Sequence, residues 1–242
     1  MPARTTKYYD ETAESYDELH GGGKDLEHIR ALQRSWPILS RLSVTSVVDV
    51  GCGTGRSMLW LKQEMPTLQL IGVDPSEKLL AIARKRLPDS KLEVGSGEQL
   101  PLQDNSVDLA LATGIMHHVD RPVEVIREMF RVAKKGVLIS DHNNFAFGGT
   151  VTRRARLWLY ASGLLGFATF VKQGFRRQGY SEEDGWWYPY SLLNNFPLIA
   201  ELSSEQYIIP TTPIRPMNMN NMLLTQSHLA ILAVKSKTEA RF

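Results

Sequence analysis

Cysteine is all but missing from this chain. Its single copy, Cys52, has no partner for an intrachain disulfide. That fits a reducing compartment and argues against a disulfide-stapled secreted scaffold. A surplus of one charge sign is missing too. The 28 lysines and arginines face 26 aspartates and glutamates, for a net charge of +2. With no basic arm or tail, nucleic acid is not expected as a partner. The opening stretch MPARTTKYYDETAESYDELH has no apolar centre and does not read as a secretory signal. The apolar run LWLYASGLLGFATFV, residues 157–171, falls short of the about 20 residues that a membrane-crossing helix needs. Internal repeats and low-complexity segments are absent. What remains is 242 residues, 43% hydrophobic and 22% charged, which suits one globular domain in the cytoplasm.

What is present is an alternation. SVVDV (46–50) reads as a buried strand and TGRSMLWLKQEM (54–65) as a helix stopped by Pro66. LQLIGVD (68–74) is a second strand. SEKLLAIARKRL (76–87) is a helix, with Ser76 as its cap, Glu77 in its first turn, and Arg84, Lys85 and Arg86 near its end. KLEVG (91–95) and SVDLALAT (106–113) are further strands. RPVEVIREMFRVA (121–133) is a helix with Pro122 in its first turn, and KGVLISD (135–141) is a fifth strand. Later, SLLNNFPLIAEL (191–202) reads as a helix. EQYIIP (205–210) and HLAILAVK (228–235) read as a hairpin joined by PTTPIRPMNMNN (210–221). Strands separated by helices imply parallel pairing with right-handed crossovers. The expected fold is therefore α/β: a doubly wound, mostly parallel, seven-stranded sheet of Rossmann-like type, closed by a C-terminal antiparallel hairpin. A helical cap covers about 1–45, with the glycines at 21–23 as a joint, and an insertion over about 142–190 reads as a lid.

In such sheets ligands sit beyond the carboxyl ends of the strands. There VVDVGCGTG (47–55) runs a buried strand straight into Gly51, Gly53 and Gly55. Glycine allows a sharp turn and lets a ligand reach bare backbone. A dinucleotide fingerprint, G-x-G-x-x-G, would place its third glycine where Arg56 stands. Asp74, which ends the second strand ahead of Pro75, can accept hydrogen bonds from two ribose hydroxyls. That feature serves nicotinamide dinucleotides and other nucleoside cofactors alike.

The G-x-G-x-G spacing resembles the first motif of the class I S-adenosylmethionine-dependent methyltransferases. The resemblance takes in Asp49, which in that family steadies the loop and faces the methionine end of the cofactor. It takes in VGSGEQLP (94–101), where Ser96, Gly97 and Glu98 fall at the adenine edge and Ser96 replaces the usual aspartate. LATGIMHHV (111–119), with Thr113, is similar to the segment under the methionine moiety. YYDETAESYDE (8–18) resembles the N-terminal segment of small-molecule branches, including quinone-biosynthesis enzymes, where a tyrosine such as Tyr16 covers the cofactor. The resemblance spans about 8–141. It implies S-adenosyl-L-methionine as cofactor, held by these residues and the Gly51–Cys52–Gly53 backbone, with no phosphate on the loop.

Methyl transfer is a direct displacement, so positioning and desolvation can supply most of the catalysis. Where the acceptor must lose a proton, His117, His118, Asp141 and His142, beyond strands four and five, are the candidate bases. No metal site is expected, because the six histidines are scattered along the chain and Cys52 lies in the glycine loop. The N/D-P-P-Y segment of enzymes that methylate amide or nucleobase nitrogen is absent after strand four. The apolar run at 157–171 is flanked by Arg153, Arg154, Arg156, Lys172, Arg176 and Arg177. It reads either as a buried lid helix or as an interfacial helix in peripheral contact with a membrane. With Trp186, Trp187, Tyr188 and Tyr190, it points to a small acceptor of apolar or lipid-like character, methylated at oxygen or carbon. Two alternatives stay open: a nicotinamide-dependent oxidoreductase, and a membrane-associated protein that binds S-adenosylmethionine without catalysis.

Overall fold

A computed structural model describes residues 3–20, 26–182, 184–212 and 224–236. The glycine joint at 21–23 and most of the loop at 210–221 lie outside them.

The apolar side chains alternate in period two along the strands and so fill two layers. In β1 (Ser46–Val50), Val47 faces one core while Val48 and Val50 face the other. In β4 (Val107–Thr113), Leu109 and Leu111 join the first and Ala110 and Ala112 the second. In β5 (Ala133–His142), Leu138 joins the first and Val137 and Ile139 the second. A strand that is apolar on both faces must be covered on both. Helices α3 (Leu26–Arg41), α4 (Arg56–Glu64) and α5 (Glu77–Arg86) supply the first cover, and α6 (Pro122–Val132) with α9 (Phe196–Leu202) the second.

With β2 (Gln69–Asp74), β3 (Lys91–Val94), β8 (Ser203–Pro210) and β9 (His228–Lys235), the sheet has the order β3-β2-β1-β4-β5-β9-β8. Strands β1 to β5 pair in parallel, and β9 runs antiparallel to both β5 and β8. The expected seven-stranded sheet and closing hairpin are both there. Ser76 caps α5 by accepting a hydrogen bond from the Leu79 N–H at 3.2 Å. The strand order reverses between β1 and β4, and a crevice opens at their carboxyl ends.

Four features differ from the sequence reading. Two short helices, α1 (Ala3–Thr12) and α2 (Tyr16–His20), precede α3, and α1 packs against α5. Asp141 and His142 do not follow β5; they are its last two residues, because β9 continues to pair with them. The stretch at 191–202 is a 3-10 turn followed by α9, since Pro197 fits only the first turn of a helix. The apolar run at 157–171 is not one buried helix. It is divided between α7 (Thr150–Ala161) and α8 (Leu165–Lys172), which turn at Gly163 with φ of 73°, and neither helix has a buried residue. A two-stranded hairpin of β6 (Gly179–Ser181) and β7 (Gly185–Trp187) follows. No helix among the described residues is long and apolar enough to cross a membrane.

Candidate active site

The glycine loop is built by close approach. Gly51 has φ of 71°, and a Cβ there would lie 2.4 Å from Ile115 Cγ2, so backbone and sterics both exclude a larger residue. Gly53 has φ of 53°, but a Cβ there meets nothing nearer than the Tyr16 hydroxyl at 3.6 Å. The space that glycine leaves open faces a cleft lined by Tyr16, Gly51, Gly53, Asp74, Pro75, Thr113 and Gly114. Asp74 accepts hydrogen bonds from the Gly53 N–H at 2.9 Å and the Ser76 N–H at 2.8 Å. Burial nevertheless outweighs these bonds and lifts its carboxyl to about 6. Thr113, which lines this cleft, shares a hydroxyl bond of 2.9 Å with Ser57. Tyr16, Gly51, Gly53, Asp74, Pro75 and Thr113 are thus brought together as the motifs imply.

The other residues expected at the cofactor lie further back. Gly55 is the left-handed residue ahead of α4. The Cys52 side chain is buried in the core beneath the loop, so only its backbone can serve a ligand there. Ser96 donates to Glu98 Oε2 at 2.5 Å, and Gly97 packs on Val50 and Val125; none of the three lines the cleft. Asp49 is fully buried, and neither carboxylate oxygen has a hydrogen-bond partner among the described residues. Desolvation, then the neighbouring Asp74, raise its carboxyl to about 8.

Next to this cleft, and sharing Tyr9, Tyr16, Thr113, Gly114 and His118 with it, lies a second one of about 220 Å³. Five of the six histidines of the chain, His28, His117, His118, His142 and His228, line it together with Asp184. The scatter expected from the sequence is undone by the fold. The last residue of β5 and the first of β9 are register partners, which puts His142 beside His228, their rings 4.7 Å apart. His28 reaches in from α3 and bonds Ser140 Oγ at 3.0 Å.

The candidate bases are held in distinct ways. Asp141 is wholly buried; its oxygens take the Met116 N–H, the His142 N–H and His117 Nδ1 at 2.7 to 2.8 Å. Burial would raise its carboxyl, but the His117 charge and hydrogen bond hold it well below the usual range. Burial would likewise lower His117, but Asp141 and then Asp184 raise it to about 10. His142 stacks on His117 at 4.1 Å, and burial with that positive neighbour pushes it down to about 2. His117 is therefore charged and His142 neutral near pH 7. His118 is braced, with Nδ1 on the Trp186 carbonyl at 2.9 Å and Nε2 on the Tyr9 hydroxyl at 2.9 Å.

Asp184, between β6 and β7, has no sequence motif to announce it. It lies 3.3 Å from Nε2 of both His117 and His118. The aromatic cluster beside it does not line the histidine cleft: Trp186 is covered by the Arg4 guanidinium at 4.4 Å, and Tyr190 is buried in the core. A separate cavity of about 470 Å³ lies under α8, between Phe145, Tyr160, Phe170 and Tyr188.

Residues 48–140 match the family described as "Methyltransferase domain". A demethylmenaquinone methyltransferase of Thermotoga maritima is 35% identical over 148 residues, 57% of this chain and 63% of that protein. A trans-aconitate 2-methyltransferase of Variovorax paradoxus is 38% identical over 93 residues, 38% of this chain and 36% of that protein. The chain thus spans less than two thirds of the length of these curated relatives. Across 96% of this chain, the fold matches a solved Thermotoga maritima protein described as an S-adenosylmethionine-dependent methyltransferase and possible histamine N-methyltransferase. That match has a TM-score of 0.57 and 20% identity, and it covers 100% of the solved chain.

The geometry can be held against the cofactor of that family. The cradle at Gly53 leaves room for a ligand beside bare backbone, and the buried Asp74 lines the same cleft. Asp49 keeps two buried acceptor oxygens without donors, the chemistry that an amino group or a water bound to it would satisfy. The residues fit an S-adenosyl-L-methionine site. Of the readings the sequence left open, the match of residues 48–140 to the family described as a methyltransferase domain supports the methyltransferase one.

Proposed function

We propose that this chain transfers a methyl group from S-adenosyl-L-methionine to an oxygen or carbon of a small, apolar or lipid-like acceptor. The observation that carries this reading is the pair of contiguous clefts, one fitted to a nucleoside and one lined by histidines, meeting at Tyr16, Thr113 and His118. When bound, the cofactor supplies a methyl group activated by a sulfonium. The protein's work is then placement. Asp74 takes the ribose hydroxyls, Asp49 the methionine end, and Tyr16 closes over the loop, with Arg56 5.3 Å from its ring. With no ion bound, His117 keeps its proton between Asp141 and Asp184 and so gives the acceptor cleft a positive charge. His142, neutral, offers a nitrogen that accepts a hydrogen bond from an acceptor hydroxyl and orients it in line.

The insertion acts as the lid in this reading. Trp158, Leu164, Phe167, Val171 and Phe175 are exposed on α7, α8 and the turn after them, flanked by the six cationic residues named above. That arrangement suits peripheral contact with an anionic membrane, with the cavity under α8 accepting an apolar tail. The relatives named for demethylmenaquinone and trans-aconitate make a small-molecule acceptor the natural class.

Calorimetry with S-adenosyl-L-methionine tests the first part. Asp74→Ala is expected to weaken binding at least tenfold, and unchanged affinity would reject the assigned ribose site. A tritiated-methyl assay on cell extract tests the second. Label is expected in the organic-soluble fraction, and label confined to the aqueous fraction would reject the apolar acceptor.

A further inference from the structure

We propose that His117, His118 and Asp184 form a binding site for one divalent first-row transition-metal ion, in the acceptor cleft. The three groups converge from two parts of the fold. The histidines come from the 3-10 turn after β4, and the carboxylate from the β6–β7 hairpin. Nε2 of each imidazole lies 3.3 Å from the carboxylate. Two ligand atoms about 2.1 Å from one ion at the tetrahedral angle lie about 3.4 Å apart, so the spacing already suits a shared cation.

The surroundings are arranged as a metal centre requires. A ligating histidine usually gives its other ring nitrogen to a carboxylate or a carbonyl, which fixes its tautomer and turns the free nitrogen to the ion. His117 Nδ1 is held by Asp141 at 2.8 Å, and His118 Nδ1 by the Trp186 carbonyl at 2.9 Å. Both Nε2 atoms face Asp184; on binding the ion His117 gives up its Nε2 proton, and His118 Nε2 exchanges its 2.9 Å bond to the Tyr9 hydroxyl for the metal. His117 is 95% buried, and its Nε2 has no hydrogen bond: Asp184 is near enough, but the N–H direction is not met. A buried imidazole nitrogen aimed at a carboxylate it does not bond is better satisfied by a cation between them. The second histidine–carboxylate cluster, His117, Asp141 and His142, is a weaker candidate. Its Asp141 oxygens are already taken by two backbone N–H groups and His117.

Two histidines and one carboxylate leave coordination positions open, here toward the cleft that also holds His142 and Tyr9. The exogenous ligand this suits is an acceptor with one or two oxygens on adjacent carbons, such as an enol or a vicinal diol. Only that last assignment rests on the methyltransferase reading; ion binding does not.

Full-length protein stripped with a chelator is titrated with Zn²⁺ by calorimetry, and with Co²⁺ followed by visible absorption. One ion per chain is expected, with the strong visible bands of a low-coordinate Co²⁺ site. Asp184→Asn and His118→Gln are each expected to weaken binding at least tenfold. Asp184 lies on the hairpin outside the core clusters, so its replacement leaves the sheet folded, as a thermal melt verifies. No uptake by the parent protein overturns the proposal. So does uptake that survives Asp184→Asn but is lost in His142→Gln, which would move the ion to the Asp141 cluster. S-adenosylmethionine binding measured on the same samples separates the two readings, since either can fail while the other holds.

Discussion

At the scale of single residues, Asp49 has the most to reveal. A carboxyl raised to about 8 in the folded chain, against 3.8 unfolded, is protonated in the native state at neutral pH and ionised once the chain unfolds. Its favourable contribution is complete below pH 3.8 and is lost as pH climbs through about 8. Asp74, lifted to about 6 with Asp10 nearby as a like charge, acts in the same sense over a lower window. Asp49→Asn should therefore be neutral at pH 4 and stabilising at pH 8.5. Chemical denaturation at the two pH values checks this, and an equal effect at both would contradict it. The same variant should bind S-adenosylmethionine more weakly. Residue positions are legible where a motif names them: Gly51, Gly53 and Asp74 line one cleft, as their spacing implies. Asp184 carries no such mark. His228 did carry one, since the first residue of an antiparallel closing strand must sit near the last residue of its neighbour.

Elements were read most accurately where apolar periodicity is strong. All seven strands of the sheet and helices α4, α5 and α6 follow from it, because each must cover or be covered on a fixed face. At 157–171, where composition alone is apolar, the buried-helix alternative is the one that is not met. Gly163 divides the run, and Trp158, Tyr160, Leu164, Phe167 and Val171 stay exposed while Leu157, Leu159, Leu165 and Phe170 are half-buried. Trp158→Ser combined with Phe167→Ser should therefore leave the melting temperature unchanged to within about 2 °C, since no buried contact is lost. The double variant should also release the protein from anionic vesicles in a sedimentation assay. A large drop in melting temperature would instead mean that these side chains are covered in the native protein.

Across the whole molecule, the two cores are joined through the same strands, so damage to either is felt by both. Leu138, wholly buried at the middle of β5, is flanked by β4 and β9. Leu138→Ala should cost about 2–5 kcal/mol and lower the melting temperature by about 4–20 °C, read by calorimetric melting. A smaller loss would show that the sheet closes around the gap. The overall architecture was legible because β–α alternation admits few topologies. The arrival of Asp184 in the histidine cleft is not legible, since it depends on contacts between segments far apart in the chain.

Those contacts run through the first helix. On one side, Asp10 of α1 receives the Ser76 hydroxyl at 2.6 Å, beside the nucleoside cleft. On the other, Tyr8 donates to the Glu182 carbonyl at 2.6 Å, and Tyr9 reaches both His118 and the Asp184 carbonyl. α1 is thus a tie-beam between floor and roof. Trimming the front dozen residues to simplify expression would spare every strand, yet it would unfasten the chamber proposed for methyl transfer.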